Sequence, residues 1–283
     1  MDILTHRGLN FSTDFPFLES SLESFEYHLE KGFGIEFDLQ ITKDDHVVVS
    51  HDSNLIRISE GKDKRNISDL NLTEILSLNF NEHTICTLEQ VINAINKMQK
   101  PRVLSAIHFK HGVQNRKNID LIYESIKKLD TEKYIIFDAT LETARYLKNK
   151  DKAIQLAPSI SHPYDISRYG TCVGNTLMSI EVVADNLDLF NWAWLDEWDT
   201  KDEIGSKRLY TQETFKQLKS LGLNIALVTP ELHSQSPGLL GSEKHSDAEN
   251  IDVLFDRIKQ ILSLKPDMIC TDYPEEVQKL IKQ

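Results

Sequence analysis

Two acidic residues within an alternating segment are the first sign of chemistry in this 283-residue chain. Ile35, Phe37 and Leu39 alternate there with Glu36 and Asp38. Successive side chains of a β-strand point to opposite faces, so the two acids share one face. If that face is enclosed, the carboxylates repel each other and lose hydration. Such a pair needs a proton on one carboxylate or a cation between them, and a divalent metal ion is the simpler solution.

A second short apolar run follows the acids. Residues 43–46 form a turn signal, and Val47 to Val49 then lead into His51 and Asp52. A hairpin at this point would return His51 to the neighbourhood of Glu36 and Asp38. If the polar face of the hairpin were solvated, the same acids would need no partner, so the interpretation depends on the fold.

Strand and helix patterns alternate along the whole chain. A capping box at Thr87 and Gln90, for example, predicts a helix that follows them. Strands are predicted near residues 1–5, 34–41, 102–107, 134–138, 153–157, 192–196, 224–228 and 268–271, whereas residues 158–188 show no clear period. Eight strand–helix units predict an α/β fold, a single (β/α)8 TIM barrel, over one domain at residues 1–283. An open doubly wound sheet is disfavoured because no G-x-G-x-x-G follows the first strand.

Active sites of such barrels lie at the C-terminal rim of the strands. Inward-pointing Glu36 and Asp38 would therefore face the barrel interior, while Ile35, Phe37 and Leu39 would pack under the helices. The side chains expected at the rim of the first three strands and the hairpin are His6, Arg7, Glu36, Asp38, His51, His108 and Lys110.

Composition narrows the class of partner. The net charge of -12 argues against unspecific binding of nucleic acid, which usually needs a basic surface. The three cysteines, Cys86, Cys172 and Cys270, have no ligand-like spacing and are interpreted as reduced thiols. No apolar stretch approaches about 18 residues, which predicts a cytoplasmic protein with no membrane span. The sequence makes no prediction of oligomeric state.

Five motifs in order carry a resemblance to a known family. They are His6-Arg7-Gly8, Glu19-Ser20-Ser21, Glu36-Phe37-Asp38, His51-Asp52 and Thr271-Asp272-Tyr273-Pro274. With these motifs the chain resembles the glycerophosphodiester phosphodiesterase family, within the superfamily of phosphodiesterases like phosphatidylinositol-specific phospholipase C. The resemblance spans essentially the whole chain and is weakest at residues 158–198.

The resemblance implies hydrolysis of a small-molecule phosphodiester with the help of one divalent cation. By that resemblance His6 and His51 are the acid–base pair, a role that suits groups titrating near neutrality. Arg7 and Lys110 would bind the phosphate oxygens, and Glu36 and Asp38 would hold the metal ion.

His108 departs from the family pattern, which normally has an acid two residues before the lysine. We predict that His108 is still the third metal ligand. Magnesium or calcium is implied by the resemblance, whereas an imidazole ligand favours manganese or zinc. Alternative ligands are Glu19, Asp196 and Glu197, and His108 could instead be a core residue with no metal contact.

Two further segments are candidates for contacts to substrate. Trp192, Trp194 and Asp196 alternate, which predicts Asp196 at the rim of the sixth strand, although packing is an alternative role for the tryptophans. The long connection from Thr229 to Asp247 is interpreted as a specificity loop. It contributes Glu231 and His233 as candidate rim residues.

Three alternative functions remain open from the sequence. One is a lyase of the phospholipase D or phosphatidylinositol-cleaving type that ends at a cyclic phosphate. A second is a catalytically impaired barrel that only binds a phosphate ligand, because His108 replaces an acid. A third, a metal-dependent sugar isomerase or aldolase, lacks clear ligands on the later strands.

Overall fold

A computed structural model of the chain describes residues 1–11, 15–80, 83–200, 205–232 and 245–282. Its strands belong to one sheet, in which all pairs but one are parallel. The strands are β1 (Asp2–His6), β2 (Gly34–Ile41), β3 (Val47–Val49), β4 (Ser105–His108), β5 (Tyr134–Phe137), β6 (Leu156–Ala157), β7 (Ser159–Ile160), β8 (Leu177–Met178), β9 (Trp192–Leu195), β10 (Asn224–Val228) and β11 (Met268–Thr271).

The sheet follows the order β6-β5-β4-β2-β1-β11-β10-β9-β7-β8, with β3 attached to β2. Only Pro158 separates β6 from β7. Asn191 N donates to Leu156 O at 3.1 Å and Trp194 N donates to Pro158 O at 3.0 Å, so both pieces also meet the segment that contains β9. The two pieces act as one interrupted fifth strand, and the predicted (β/α)8 barrel is confirmed.

Helices surround the sheet. They are α1 (Leu22–Lys31), α2 (Leu72–Ser77), α3 (Leu88–Met98), α4 (Arg116–Ile126), α5 (Leu141–Lys150), α6 (Pro163–Tyr169), α7 (Ile180–Ala184), α8 (Gln212–Ser220), α9 (Ile251–Ser263) and α10 (Pro274–Ile281). The capping box that begins α3 is present as predicted. Within the described part of the chain, none of these helices combines the length and apolar character needed to cross a lipid bilayer.

The strand β2 separates two environments. Ile35, Phe37 and Leu39 are fully buried in the main apolar core, whereas Glu36 and Asp38 on the opposite face are 3% and 1% exposed. β3 pairs antiparallel with β2, with Leu39 opposite Val49, which forms the predicted hairpin. The polar face is therefore enclosed, and the alternative of a solvated hairpin face is wrong.

Residues 158–188 contain real elements despite their weak pattern. They include β7, α6, β8 and α7, which range from two to seven residues in length. Such short elements cannot display a helical or alternating period, since recognition of a period needs a longer window.

A tight turn follows β1 and is anchored to α1. Gly8 has φ +70°, and a Cβ there would lie 2.2 Å from Ser24 Oγ, so only glycine fits. The carbonyl oxygen of Gly8 accepts hydrogen bonds from Ser24 Oγ at 2.5 Å and from His28 Nε2 at 3.1 Å. These bonds fix the position of the chain that carries His6 and Arg7.

Replacement of His28 by glutamine should make stability less sensitive to acid. Burial lowers the pKa of His28 from 6.5 to about 4. As the pH falls, His28 therefore becomes protonated in the unfolded chain before it does so in the folded protein. The stabilisation is complete above pH 6.5 and is lost as the pH falls toward 4. At pH 7.5 His28→Gln should lower the free energy of unfolding by about 1–2 kcal/mol. At pH 4.5 this titration should cost wild type about 2 kcal/mol and the variant nothing, so the difference in free energy of unfolding, measured with denaturant, should vanish or reverse. An identical difference at both pH values would contradict a neutral buried His28.

Candidate active site

A cavity of about 380 Å³ opens at the C-terminal ends of the strands. Seven of the residues predicted for the site line it: His6, Arg7, Glu36, Asp38, His51, His108 and Lys110. They come from the ends of β1, β2 and β4 and from the residues after β3. The barrel thus gathers into one cavity side chains that lie more than 100 residues apart in the sequence.

His6 is paired with an aspartate from the last barrel strand. Its Nδ1 lies 2.9 Å from Asp272 Oδ1, and the Asp272 side chain is fully buried. Burial, assisted by the charge of Arg7, lowers the pKa of His6 well below its usual value. Burial also raises the pKa of Asp272 to about 8. Burial therefore disfavours the charged form of both groups, and the contact of Nδ1 with Asp272 leaves Nε2 of His6 available to a ligand.

His51 has a similar arrangement. Its Nδ1 lies 2.7 Å from Asp52 Oδ1, and Arg57 Nε donates to Asp52 Oδ2 at 2.6 Å. Burial lowers the pKa of His51 to about 4. Although burial acts against it, the hydrogen bond from His51 and the charge of Arg57 lower the pKa of Asp52 to about 2. His51 is therefore neutral, with Nδ1 held by an ionised carboxylate.

Glu36 and Asp38 are adjacent carboxylates with different surroundings. Burial, together with the charge of Asp38, raises the pKa of Glu36 to about 8. Asp38 Oδ1 lies 2.8 Å from His108 Nδ1 and 3.0 Å from Lys110 Nζ, and these contacts hold its pKa well below the usual value despite burial. Asp38 Oδ2 accepts no hydrogen bond from any described residue, although Arg7 Nε lies 3.7 Å away.

His108 lies between three carboxylates. Besides its contact with Asp38, Nδ1 is 3.9 Å from Glu36 Oε1, and Nε2 is 3.2 Å from Asp138 Oδ2. Burial alone would lower its pKa, but the hydrogen bonds to Asp138 and Asp38 raise it to about 9. Since His108 lines the cavity among charged groups, it is not simply a core residue. Glu36, Asp38 and His108 each offer a ligand atom within 4.8 Å of the others, a spacing that one metal ion can bridge.

Arg7 and Lys110 bring positive charge to the same cavity. The Arg7 side chain is only 2% exposed and lies 3.6 Å from Glu19 Oε2 as well as near Asp38. Lys110 Nζ donates to the carbonyl oxygen of His51 at 2.7 Å in addition to its contact with Asp38. Two cations held in a buried site suit an anionic ligand such as a phosphate.

The other side of the cavity is largely apolar and aromatic. The ring of Phe137 stacks on Trp194 at 3.9 Å between centroids and on His108 at 4.4 Å. Trp194, Asp196 and Trp198 all line the cavity, so the predicted place of Asp196 at the rim is confirmed. Trp192 does not line it and instead donates to Gln155 Oε1 at 2.9 Å.

Three predicted rim acids lie elsewhere. Glu19 forms ion pairs with Arg7 and Arg57 beside the cavity and does not line it. Glu197, 2% exposed, accepts hydrogen bonds from Tyr210 N and Arg257, on the side of the chain opposite to Asp196. The prediction that Glu197 lies at the rim is therefore wrong, because adjacent residues of extended chain point to opposite sides.

Glu231 is also not at the rim. Its Oε1 accepts hydrogen bonds from Thr229 Oγ1, Thr271 Oγ1 and the backbone N of Asp272. The prediction that Glu231 lies at the rim is therefore wrong, and its observed contacts hold the chain around Asp272. His233, the other candidate from this connection, lies outside the described residues, as do residues 234–244.

Three acids in contact with the site histidines had no predicted role: Asp52, Asp138 and Asp272. Asp272 belongs to a motif seen in the sequence, but its partner His6 is 266 residues away. Asp138 follows β5 directly and lines the cavity beside His108. An acid directly after a barrel strand is the signal that could have identified it.

Sequence comparison identifies relatives of the chain. The model of the glycerophosphoryl diester phosphodiesterase family matches residues 6–276. A glycerophosphodiester phosphodiesterase from Caldanaerobacter subterraneus is 30% identical over 147 residues, which are 48% of this chain and 57% of that protein. The match thus spans a little over half the length of this curated relative.

Solved structures share the fold over the whole chain. A candidate glycerophosphodiester phosphodiesterase from Galdieria sulphuraria has a TM-score of 0.71 at 19% identity, covering 100% of this chain and 98% of that one. A phosphodiesterase from Oleispira antarctica, in complex with the product sn-glycerol-3-phosphate, has a TM-score of 0.66 at 16% identity, covering 100% and 97%. The family model covers nearly all of the sequence, from the His6 end of β1 into the last helix; the chain belongs to the glycerophosphoryl diester phosphodiesterase family.

Proposed function

We propose that the chain hydrolyses a small-molecule glycerophosphodiester in a reaction that depends on one divalent metal ion. The observation that carries this proposal is a single cavity with two aspartate-bound histidines, His6 and His51, beside a buried pair of carboxylates. Membership of the family supports the reaction class. The sn-glycerol-3-phosphate bound to the Oleispira antarctica relative supports a glycerol phosphate as part of the substrate.

Glu36, Asp38 and His108 would hold the metal ion. The fit is supported by the buried and mutually repelling carboxylates, by the unpaired lone pairs of Asp38 Oδ2, and by the spacing of the three ligand atoms. A divalent ion bound there would draw negative charge from the phosphate oxygens and so favour attack at phosphorus. The mixed oxygen and nitrogen ligands suit manganese or zinc better than calcium.

The two histidines would move the protons of the reaction. One neutral imidazole accepts a proton from the attacking hydroxyl or water as the new oxygen–phosphorus bond forms. The other, in its protonated form, donates a proton to the leaving oxygen as the old bond breaks. An anionic phosphodiester beside the rings raises their pKa values and makes the protonated form accessible. Asp272 and Asp52 would hold each ring with Nε2 toward the substrate.

Arg7 and Lys110 would bind the phosphate. Their side chains line the cavity and approach Asp38 from two directions. Hydrogen bonds from cationic groups to the non-bridging oxygens strengthen as negative charge accumulates in the transition state. Both cations are already fixed by carboxylates and by the carbonyl oxygen of His51, so little reorganisation is needed when the substrate binds.

Phosphorus NMR of reactions with a panel of glycerophosphodiesters tests the proposal. Metal-depleted enzyme, supplied in turn with manganese, zinc, magnesium and calcium, should produce a phosphomonoester. A cyclic phosphate that accumulates as the final product would assign the chain to the lyase alternative. Absence of turnover with every metal and substrate would overturn the proposal in favour of a barrel that only binds phosphate ligands.

Replacement of Asp272 by asparagine should lower kcat for this reaction by roughly 10²-fold or more, with a small change in KM. Asp272 would act by positioning His6, and asparagine cannot exchange a proton with Nδ1 when the ring becomes protonated. The pH profile of kcat should shift as well, which a purely structural defect would not produce. Thr171→Val, at an exposed position on another segment, serves as a control. A variant with an unchanged pH profile would remove Asp272 from this role.

A further inference from the structure

We propose that Asp138 is a positioning residue that orients His108 as a metal ligand through Nδ1. In this arrangement the Asp138–His108 pair would supply the third ligand beside Glu36 and Asp38 and would favour a transition-metal ion over magnesium. The inference rests on the proposed function for the presence of the metal ion. It assigns a role to Asp138 and a preference among metal ions, neither of which the hydrolysis reaction itself requires.

The orientation of the His108 ring is restricted by stacking. The ring lies 4.4 Å from Phe137, with an interplanar angle of 20°, and Phe137 in turn stacks on Trp194 at 3.9 Å and 13°. These contacts fix the plane of the imidazole. They do not by themselves decide which ring nitrogen carries the hydrogen.

Both ring nitrogens face carboxylates, Nδ1 facing Asp38 and Nε2 facing Asp138. A metal ion at Nδ1 would take the place of the hydrogen there, and Asp138 would hold the remaining hydrogen at Nε2. Asp138 Oδ2 lies 3.2 Å from Nε2, while Nδ1 faces Asp38 Oδ1 at 2.8 Å and Glu36 Oε1 at 3.9 Å. A ring nitrogen coordinates a metal through its lone pair, so the other nitrogen must hold the hydrogen. A carboxylate that accepts from Nε2 therefore leaves Nδ1 as the ligand atom on the side of Glu36 and Asp38.

The backbone of Asp138 is built for this position. Its φ of +65° lies in the left-handed region, which aspartate and asparagine tolerate better than most residues. Gln114 Nε2 donates to the Asp138 carbonyl oxygen at 2.8 Å and to that of Phe109 at 2.6 Å, and Gln114 Oε1 accepts from Thr140 N at 2.9 Å. These bonds hold the turn after β5 and thereby fix the carboxylate beside Nε2.

Metal binding to four proteins tests the proposal: wild type, Asp138→Asn, His108→Glu and the double variant. The metal-depleted proteins are titrated calorimetrically with Mn²⁺, Zn²⁺ and Mg²⁺. Wild type should bind Mn²⁺ and Zn²⁺ more tightly than it binds Mg²⁺. Asp138→Asn should weaken binding of these two ions by about 10- to 100-fold. His108→Glu should shift the preference toward Mg²⁺, because all ligands are then oxygen atoms. In that background Asp138→Asn should change the affinity less than about 3-fold, because there is no ring to orient.

Pulsed EPR of the Mn²⁺-loaded proteins provides a readout independent of activity. Coupling to an imidazole nitrogen is expected in wild type, should be altered by Asp138→Asn, and should be absent in His108→Glu. Asparagine tolerates the left-handed backbone conformation at position 138. If its amide oxygen still accepts a hydrogen bond from Nε2 of His108, Asp138→Ala provides a second variant. Thermal melting reports whether each variant folds.

Distinct results overturn the inference. An equal loss of affinity from Asp138→Asn in the wild-type and His108→Glu backgrounds would mean that Asp138 binds the metal directly or acts only through its charge. Absence of nitrogen coupling in wild type would remove His108 from the ligands. Hydrolysis of a diester by a protein that binds none of the three ions would sustain the phosphodiesterase reaction while refuting both its metal dependence and this inference. Metal binding as described, with no hydrolysis of any diester, would support this inference and overturn the proposed phosphodiesterase reaction.

Discussion

His51→Gln should lower kcat/KM for a glycerophosphodiester by about 10³-fold while the protein remains folded. A positioned acid or base contributes about 10²- to 10⁴-fold, and glutamine cannot exchange a proton near neutral pH. The neutral ring of His51, held by Asp52 at 2.7 Å, is suited to that exchange. Steady-state kinetics across pH 5 to 9 measure the effect, and one limb of the wild-type pH profile should be missing in the variant.

The matched control is His46→Gln in the turn of the same hairpin. The side chain of His46 is 52% exposed and lies outside the cavity, so this variant should retain wild-type activity. If His51→Gln retains more than about a tenth of wild-type kcat/KM, His51 is not an acid or base in this reaction. The other histidine, His6, should give a loss of comparable size when changed to glutamine.

Glu36→Gln should abolish most activity without destabilising the protein in the absence of metal. Loss of a negatively charged ligand should weaken metal binding and reduce kcat/KM by roughly 10³-fold. Glu36 is buried and repelled by Asp38, which raises its pKa to about 8. A neutral amide of the same shape relieves that repulsion, so the melting temperature in a chelating buffer should stay unchanged or rise.

Asp38→Asn is the informative comparison for Glu36→Gln. Asp38 is paired with His108, Lys110 and Arg7, so its loss leaves buried cations without their partner. We expect destabilisation of about 3–5 kcal/mol, as for the breaking of other buried ion pairs. Differential scanning calorimetry with and without metal separates the two variants. A large loss of stability in Glu36→Gln would contradict the view that Glu36 is held in place for metal binding rather than for folding.

Much of the fold could be predicted from the sequence because the hydrophobic period of each strand or helix depends only on residues close together in the chain. The alternation at Ile35 to Leu39 and the capping box at Thr87 depend on neighbours within a few residues, and both were confirmed. Helix ends are less well determined by such patterns, since apolar residues at helical spacing begin at Leu18, before α1. The N-terminus of α1 is set by Ser21, whose side chain accepts from Ser24 N, and the helix begins at Leu22. The fifth strand was only half found because Pro158 interrupts its ladder.

The sequence by itself determined which residues gather at the rim. The alternation of side chains between the two faces of each strand, and the order of the βα units, place them there. His6, Glu36, Asp38, His51 and His108 all line one cavity. Only the tertiary structure decided their partners. Asp272 reaches His6 across the closed barrel, and Asp138 reaches His108 from the next strand. It also decided that Glu197 and Glu231 bind backbone amides rather than face the cavity. The face of a strand on which a residue lies is a local property, whereas hydrogen bonds between strand ends depend on how the barrel closes.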